Sequence, residues 1–503
     1  MNKIFLTLFL CMTIFGVFSQ SNRPTSKGSY AEQWKAVAEL EQKSLPKSAA
    51  DKVNAILERA LKDKNSPQVI KALIHQGKYD LALDTRNDTT IFRNLNEMVA
   101  RSGDPVERAV VHSMLGELYL QYYQKERGTI DQRTELGDFV PDDMKEWTRG
   151  ILFTKVVEHL NASIAPAAEL LDAKVESYAE VVILGKESRR FFPSMHDFLV
   201  RRAIEVFSGM ESDEDLTRVL ARKGIEVASL FAPTDKFIEL PFDPLPSEYA
   251  LWTLETYRKF LTSLQERDMQ GSLLLMELDK LDYLSRLQGA HAMHALPSLE
   301  RLSTEWEGEE LSVEIIDKIA DRYLYQIRQF SAQDSLLREQ KAKELYELLE
   351  DGIQRYPNYE RIAILENRLL QLTRPQFTVT GNKTFHPDGK IRLNVSFKNL
   401  QSLTAKLYRI DSPNDVEMAR YGVRKNIDSK RRFIEDIPVH LTKHAPYVEG
   451  EAVLEVDVKE AGTYMLSFVS SPEVSPTYSP EYYFAVRSEE RRVGKECRSR
   501  WSP

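Results

Sequence analysis

The chain has 503 residues, with 76 acidic against 68 basic side chains and a formal net charge of −8. Lys and Arg are scattered among Asp and Glu, and no basic stripe is interleaved with aromatics, which argues against a nucleic-acid partner. With 42% hydrophobic and 10% aromatic residues the sequence reads as folded rather than disordered, and it is long enough for two or more domains.

Met1-Asn2-Lys3 forms a short positive region. Ile4 to Phe18 is almost wholly apolar, interrupted only by Thr7, Cys11, Thr13 and Gly16, and the chain turns polar at Gln20. That is the pattern of a secretory signal peptide over residues 1–19, cleaved near Ser19. It predicts an exported protein of the periplasm or outer cell envelope. A retained anchor is the second reading, but the run is shorter than the roughly 20 residues a spanning helix needs. A lipoprotein signal at Cys11 is the third, and there Leu10 stands where a small residue is wanted. No later stretch is apolar enough to span a membrane, so membrane attachment is expected only through a lipid anchor. After Cys11 the only cysteine is Cys497, so the fold must be held by its cores and not by disulfides.

Residues 20–29 are polar and turn-rich, a flexible leader. From 30 to 372 the apolar period is helical nearly throughout. Val110, Met114, Leu115, Leu118 and Tyr122 make one stripe, and Leu274, Leu278, Leu281, Leu284 and Leu287 another. Pro233 to Pro246 is a proline-rich break between two helical halves. Ala342, Leu345, Tyr346, Leu349, Ile353 and Tyr356 lie on one face of a helix that Pro357 stops, with Asn358 expected to cap the next. That next helix carries Ile362, Leu365, Leu369 and Leu372, so the two form a helical hairpin. Leu115-Gly116-Glu117-Leu118-Tyr119 resembles the first-helix signature of tetratricopeptide repeats, and the Tyr356-Pro357 stop resembles their closing proline. No clean 34-residue period is present.

At Arg374-Pro375 the texture changes to alternation. Ile391, Leu393, Val395 and Phe397 alternate with Arg392, Asn394, Ser396 and Lys398, after a Pro387-Asp388-Gly389 turn. Leu403, Ala405 and Leu407 do the same, as do Ala452, Leu454, Val456 and Val458. Tyr464, Leu466 and Phe468 follow Ala461-Gly462, and Tyr482 to Val486 is a last short strand. The spacing predicts one antiparallel β-sandwich over 373–486, with Asp415 to Lys430 as a loop or short helix. Arg487 to Pro503 is densely charged and fits neither pattern. It reads as a foreign, vector-derived tail or as a native disordered one.

We find no G-x-S-x-G elbow, H-E-x-x-H pair or G-x-G-x-x-G loop, and Val493-Gly494-Lys495 lacks the rest of a P-loop. His291 and His294 have a spacing that suits zinc. No third ligand is placed, and Pro297 just beyond favours two ordinary histidines at a helix end. His440 and His444 are expected in a loop or at a sheet edge. The acidic run Glu305 to Glu310 lacks the spaced ligands of a calcium loop and reads as solvated surface. Tyr119, Tyr122 and Tyr123 are spaced as core rather than groove lining. No catalytic residue, cofactor or metal ligand is therefore assigned, and no small-molecule substrate is expected.

The order of signal peptide, helical region and sandwich resembles the N-terminal part of the bacterial alpha-2-macroglobulin family, in the large forms typical of Bacteroidetes-like bacteria. Leu403-Thr-Ala-Lys-Leu-Tyr-Arg-Ile-Asp411 resembles the second strand of a macroglobulin domain. Glu460-Ala-Gly-Thr-Tyr-Met-Leu-Ser-Phe468 resembles its G-x-Y-x-L strand, and Glu481-Tyr-Tyr-Phe-Ala-Val486 its last. The resemblance implies a truncated scaffold of a protease-trapping inhibitor, with proteases as partners of the full-length protein. The bait region and Cys-x-Glu-Gln thioester are missing here, so no trapping residue carries over. The competing reading is a stand-alone periplasmic adaptor built of tetratricopeptide-like hairpins. A third is an accessory carbohydrate-binding protein, which an exposed aromatic platform would distinguish.

Overall fold

The computed structural model describes residues 29–83, 89–135, 137, 139–185, 188–210, 214–287, 294–330, 334–387, 389–410, 431–442, 445–474 and 481–487. The signal peptide, the leader up to residue 28, Asp415 to Lys430 and the tail beyond residue 487 lie outside them. The chain divides into two compact units, residues up to Ser298 and residues from Leu299 on. It is mostly helical, with a C-terminal region of strands.

The first unit holds α1 (Tyr30–Gln42), α2 (Pro46–Lys62), α3 (Ser66–Leu83), α4 (Thr90–Arg101), α5 (Pro105–Ile130), α6 (Arg149–Ile164), α7 (Ala167–Asp172), α8 (Ser188–Phe191), α9 (Met195–Ser208), α10 (Leu216–Arg222), α11 (Thr234–Phe237), α12 (Tyr249–Glu266) and α13 (Gln270–Arg286). Helices α1, α5 and α9 start on side-chain caps that the sequence offers. Ser29 and Glu32 form a capping box at α1, as do Ser194 and Asp197 at α9. Asp104 accepts from the amides of Val106 and Glu107 at the head of α5, with Pro105 in the first turn. Consecutive helices pack as hairpins, α2 on α3, α5 on α6 and α12 on α13, while α9 lies across α5, α6 and α12. The Pro233–Pro246 break carries only the single-turn α11. It is nevertheless packed, because Phe237 and Phe242 are both buried, with ring centroids 5.4 Å apart.

Helices α5 and α6 cross closely at Gly116. A Cβ there would lie 2.8 Å from Leu160 Cδ2, so a larger residue would force the Leu160 side chain to shift. Around it Val111, Leu115, Leu118, Tyr119, Tyr122 and Tyr123 of α5 meet Leu152, Phe153, Val156 and Leu160 of α6 in one apolar cluster. The three tyrosines are core, as their spacing predicts.

The second unit continues through α14 (Ala295–Glu305), within which the division falls, to α15 (Ser312–Gln329), α16 (Ser335–Arg355) and α17 (Ala363–Thr373). Pro357 does stop α16, but Asn358 does not cap α17, whose N-cap is Ile362. The delay has a local cause. Tyr359 is buried and its hydroxyl donates to Glu314 Oε1 at 2.9 Å, which holds the chain in turns for several residues.

The strands are β1 (Gln376–Thr380), β2 (Thr384–Phe385), β3 (Ile391–Lys398), β4 (Ser402–Ile410), β5 (Arg431–Val439), β6 (Gly450–Val456), β7 (Gly462–Ser471) and β8 (Tyr482–Val486). They form two sheets, ordered β1-β3-β6 and β2-β8-β7-β4-β5. The alternating residues Ile391, Leu393, Val395 and Phe397 of the first share one core with Leu403, Ala405, Leu407, Tyr464, Leu466, Phe468, Tyr482 and Phe484 of the second. The arrangement is not wholly antiparallel as expected. The two-residue β2 joins β8 in parallel, held by Ala485 N donating to Lys383 O at 2.9 Å and Arg487 N donating to Phe385 O at 3.0 Å.

The unit division does not coincide with the change of texture at Arg374, because the last helices dock on the sheets. Asn399 has a left-handed backbone, φ 55°. Its Nδ2 donates to Leu372 O at 2.9 Å and Arg374 O at 3.2 Å, and its Oδ1 accepts from Tyr447 N at 2.8 Å. Tyr447 in turn stacks on Tyr346 of α16, centroids 4.8 Å apart and rings 4° from parallel.

Two substitutions test these contacts. Gly116→Val is expected to lower stability by about 1–3 kcal/mol through overpacking against Leu160, read as a fall in the urea midpoint at unchanged slope. Asn399→Ala removes three hydrogen bonds and leaves an alanine in the left-handed region, at a cost of roughly 2–3 kcal/mol. Hydrogen exchange should then show lost protection at the Tyr447 amide, while amides of the α5–α6 pair keep theirs.

Candidate functional site

A cleft of about 720 Å³ opens in the first unit where four helices meet. One wall is the α2–α3 hairpin, which contributes Leu57 and Leu61, then Val69, Leu73 and Gln76 as a single stripe along α3. The other wall is α4, with Asn94, Glu97, Met98 and Arg101. The Ser102-Gly103-Asp104 turn and Glu107, on the first turn of α5, close one end. The size is within the usual range for ligand sites. Its floor is apolar and partly accessible, Leu61 being 48% exposed.

The closed end is acidic. Glu107 is 6% exposed. Burial pushes its carboxyl above the ordinary glutamate range and the neighbouring Asp104 charge adds to this, against hydrogen bonds from Ser102 and Ser66 that pull it down. Ser66 Oγ donates to Asp104 Oδ2 at 2.6 Å. Of the two basic residues lining the cleft, Lys64 is exposed at its rim. The other, Arg101, is paired at 3.3 Å with Glu97. The lining contains no histidine or cysteine. Chemically the arrangement can hold an apolar body and a polar head, and it offers no nucleophile with a neighbouring imidazole base.

Helices α5 and α6 bring His112, half-buried, and His159, buried, together, Nδ1 to Nδ1 at 2.8 Å. At that distance one nitrogen carries the hydrogen and the other the lone pair. The His159 ring also stacks on Tyr119, centroids 5.6 Å apart. Burial pushes His159 down to about 4, with the His112 and Lys155 charges acting in the same direction. His112 is lowered as well, again chiefly by burial. His75, packed on Trp34 with centroids 4.7 Å apart, is likewise pushed down to about 4 by burial. Sequence reading passed over all three, since no spacing links His112 to His159.

The residues weighed from the sequence are dispersed. His291 and His444 lie outside the described residues. His294 is exposed with Phe231 at 5.7 Å, and His440 is exposed after the edge strand β5. Glu305 to Glu310 are surface residues. Glu305 pairs with Arg301 at 2.7 Å and Glu307 with Arg355 at 3.2 Å. Among the described residues no group of three or more His, Cys, Asp or Glu is placed to hold a metal ion. Among them, too, no helix is long and apolar enough to cross a membrane. On the outer face of the larger sheet Phe433 stands edge-on to Tyr408, the rings 68° apart, so these two do not make a flat platform. No family model matches the chain, and no curated protein matches it.

The histidines set a pH dependence. Their folded values lie below the ordinary 6.5, so the unfolded chain binds protons more readily. The stability they contribute is whole above pH 6.5 and is lost as the pH falls from 6.5 towards 4. His75 and His159 should each contribute up to roughly 1.4 kcal/mol per pH unit in that window, with His112 acting in the same direction. The double variant His112→Leu/His159→Phe is expected to flatten the fall in urea midpoint between pH 7 and pH 5, leaving the part due to His75.

Proposed function

We propose that this chain is a non-catalytic binding scaffold, the N-terminal portion of an exported, protease-trapping inhibitor of the alpha-2-macroglobulin type. In this reading the helical region is a set of tetratricopeptide-like hairpins and the two sheets are a macroglobulin-type sandwich. One observation carries it. The three segments that resemble macroglobulin strands, around Leu403–Ile410, Gly462–Phe468 and Tyr482–Val486, are hydrogen-bonded neighbours in the order β8-β7-β4 of a single sheet. Segments scattered over unrelated elements would have counted against it. Fold-level likeness is a weak warrant for function, so the test lies outside the chain. The locus is sequenced through the codon for Val486. A frame that runs on into further β-domains and a Cys-x-Glu-Gln site is the expected result. A stop directly after Pro503 overturns the reading.

The cleft favours a second reading, a stand-alone adaptor of the cell envelope that binds polypeptides. It shares the first reading's main feature, recognition without chemistry, and it is the reading left standing by such a stop.

A further inference from the structure

We infer that His112 and His159 form an acid-operated latch between α5 and α6: one proton held between the two rings closes the hairpin there, and charging both rings opens it, freeing the Tyr119–Trp147 stack and the loop before α6. This device is independent of the binding-scaffold reading above. It acts locally, before the whole unit unfolds, and it counts protons.

The Nδ1 atoms are 2.8 Å apart and the ring centroids 5.1 Å. That centroid separation is as long as so short a contact permits, so both nitrogens lie on the line between the rings. The lone pair of one therefore points at the N–H of the other. A shared metal ion would need two lone pairs converging on a third point, and these face each other instead. Neutral rings satisfy the contact with one hydrogen. A first extra proton enters at the free Nε2 of the donor ring and leaves the contact intact. Once both rings are charged, each Nδ1 carries a hydrogen, no lone pair remains between them, and two cations oppose each other at 2.8 Å.

The surroundings give that second charge no relief. Arg108 of α5 acts on His112 and Lys155 of α6 on His159, both as cations. Glu158 is taken by Lys155 at 2.6 Å. From α9, Arg202 is taken by Glu117. Helices α3 and α7 meet α5 through Ile70, Ile74 and Leu170. The charged side chains of α4, Arg93, Glu97 and Arg101, are exposed, and that helix reaches the column only through Phe92 and Asn96, whose Nδ2 donates to the Tyr119 hydroxyl at 3.3 Å. Both rings hold protons less readily than an ordinary histidine at 6.5, chiefly through burial. The latch is therefore closed above pH 6.5 and opens as the pH falls towards 4. The movement has a path outward. His159 stacks on Tyr119, and Tyr119 on Trp147 with centroids 5.8 Å apart and rings 26° from parallel. Trp147 Nε1 donates to Pro141 O at 2.7 Å and the Trp147 carbonyl accepts from Arg133, so the loop reaches the pair through Trp147.

The test follows hydrogen exchange of the full chain at mildly acidic pH, corrected for intrinsic rates. Between about pH 6 and pH 5 the amides of Gly116 and Leu160 and the Trp147 indole N–H should lose protection by more than roughly tenfold, which requires uptake of more than one proton per opening. Amides of the α12–α13 hairpin should change less than about threefold over the same interval, since local opening leaves the rest of the fold closed. His159→Phe, which keeps a ring against Tyr119, should remove most of the difference between the two regions. Equal losses at α12–α13 would mean global unfolding. A loss of tenfold or less would mean a single proton. An unchanged pH slope in His159→Phe would place the sensitivity elsewhere. Each of these overturns the latch. Should His159→Phe fail to fold by far-UV circular dichroism, His112→Leu takes its place, and the first two comparisons, made on the unaltered chain, decide without either variant.

Discussion

The close crossing of α5 on α6 at Gly116 is the constraint from which the rest of the first unit follows. Removing one side chain brings the backbones near enough for Leu160 to fill the gap, and the apolar rows of both helices then interlock. With two cysteines in the whole sequence, such dispersion contacts and burial carry much of the stability. The same crossing involves the 26-residue α5. Its first turn, with Asp104 and Glu107, is the closed end of the cleft. Its middle holds His112 against His159. A feature chosen for packing therefore sets both the position of the cleft's carboxyls and the acid sensitivity of the core.

Buried charge elsewhere shows what an ordinary structural acid looks like in this protein. Asp197 is fully buried, yet His196, Arg267 at 2.6 Å and Ser194 together hold its carboxyl below the usual range despite burial. Glu248 sits between Arg222 at 3.0 Å and Lys223 at 3.3 Å. Glu117 is paired with Arg202, and Arg368 bridges Asp317 and Asp321. Each of these carboxyls has a guanidinium or ammonium beside it, which offsets the desolvation a buried charge suffers. Glu107 breaks the pattern. It is as buried as the others, its proton affinity is raised instead of lowered, and an open cleft lies beside it. Perturbed groups in clefts are where function tends to sit.

Much of this was legible in the sequence where one face of an element is buried and the other wet. The stripe Ala342, Leu345 and Leu349 is the core face of α16, and the alternation at Ile391–Phe397 and Leu403–Leu407 marks β3 and β4, while the stripes through Val110–Tyr122 and Leu274–Leu284 belong to α5 and α13, which are buried on nearly every side. Where that contrast fails, so does the reading. β5 is a sheet edge, its Phe433 and Ile434 are 52% and 42% exposed, and Pro438 lies within it, so it carries neither alternation nor strand composition. β2 is two residues long and is defined only by its partner. The cleft is assembled from four helices and one turn, and the histidine pair from positions 47 apart. No local pattern encodes either, because each exists only once the helices have packed.

The change of texture at Arg374 is a change of secondary structure inside one compact unit. Helical period stops there and strand alternation begins, yet the chain on either side is joined by hydrogen bonds that a free linker would not make. Asn399 can reach Leu372 and Arg374 only because its backbone is left-handed, a conformation that Asn tolerates better than most residues. Lys398 adds a bond to Gln371 O at 3.0 Å. The Tyr346–Tyr447 stack then ties α16 to the loop before β6 from another direction. The two attachments meet, because the Tyr447 amide itself donates to Asn399 Oδ1 at 2.8 Å, so α16, the end of α17 and the strands share one hydrogen-bonded junction within this unit.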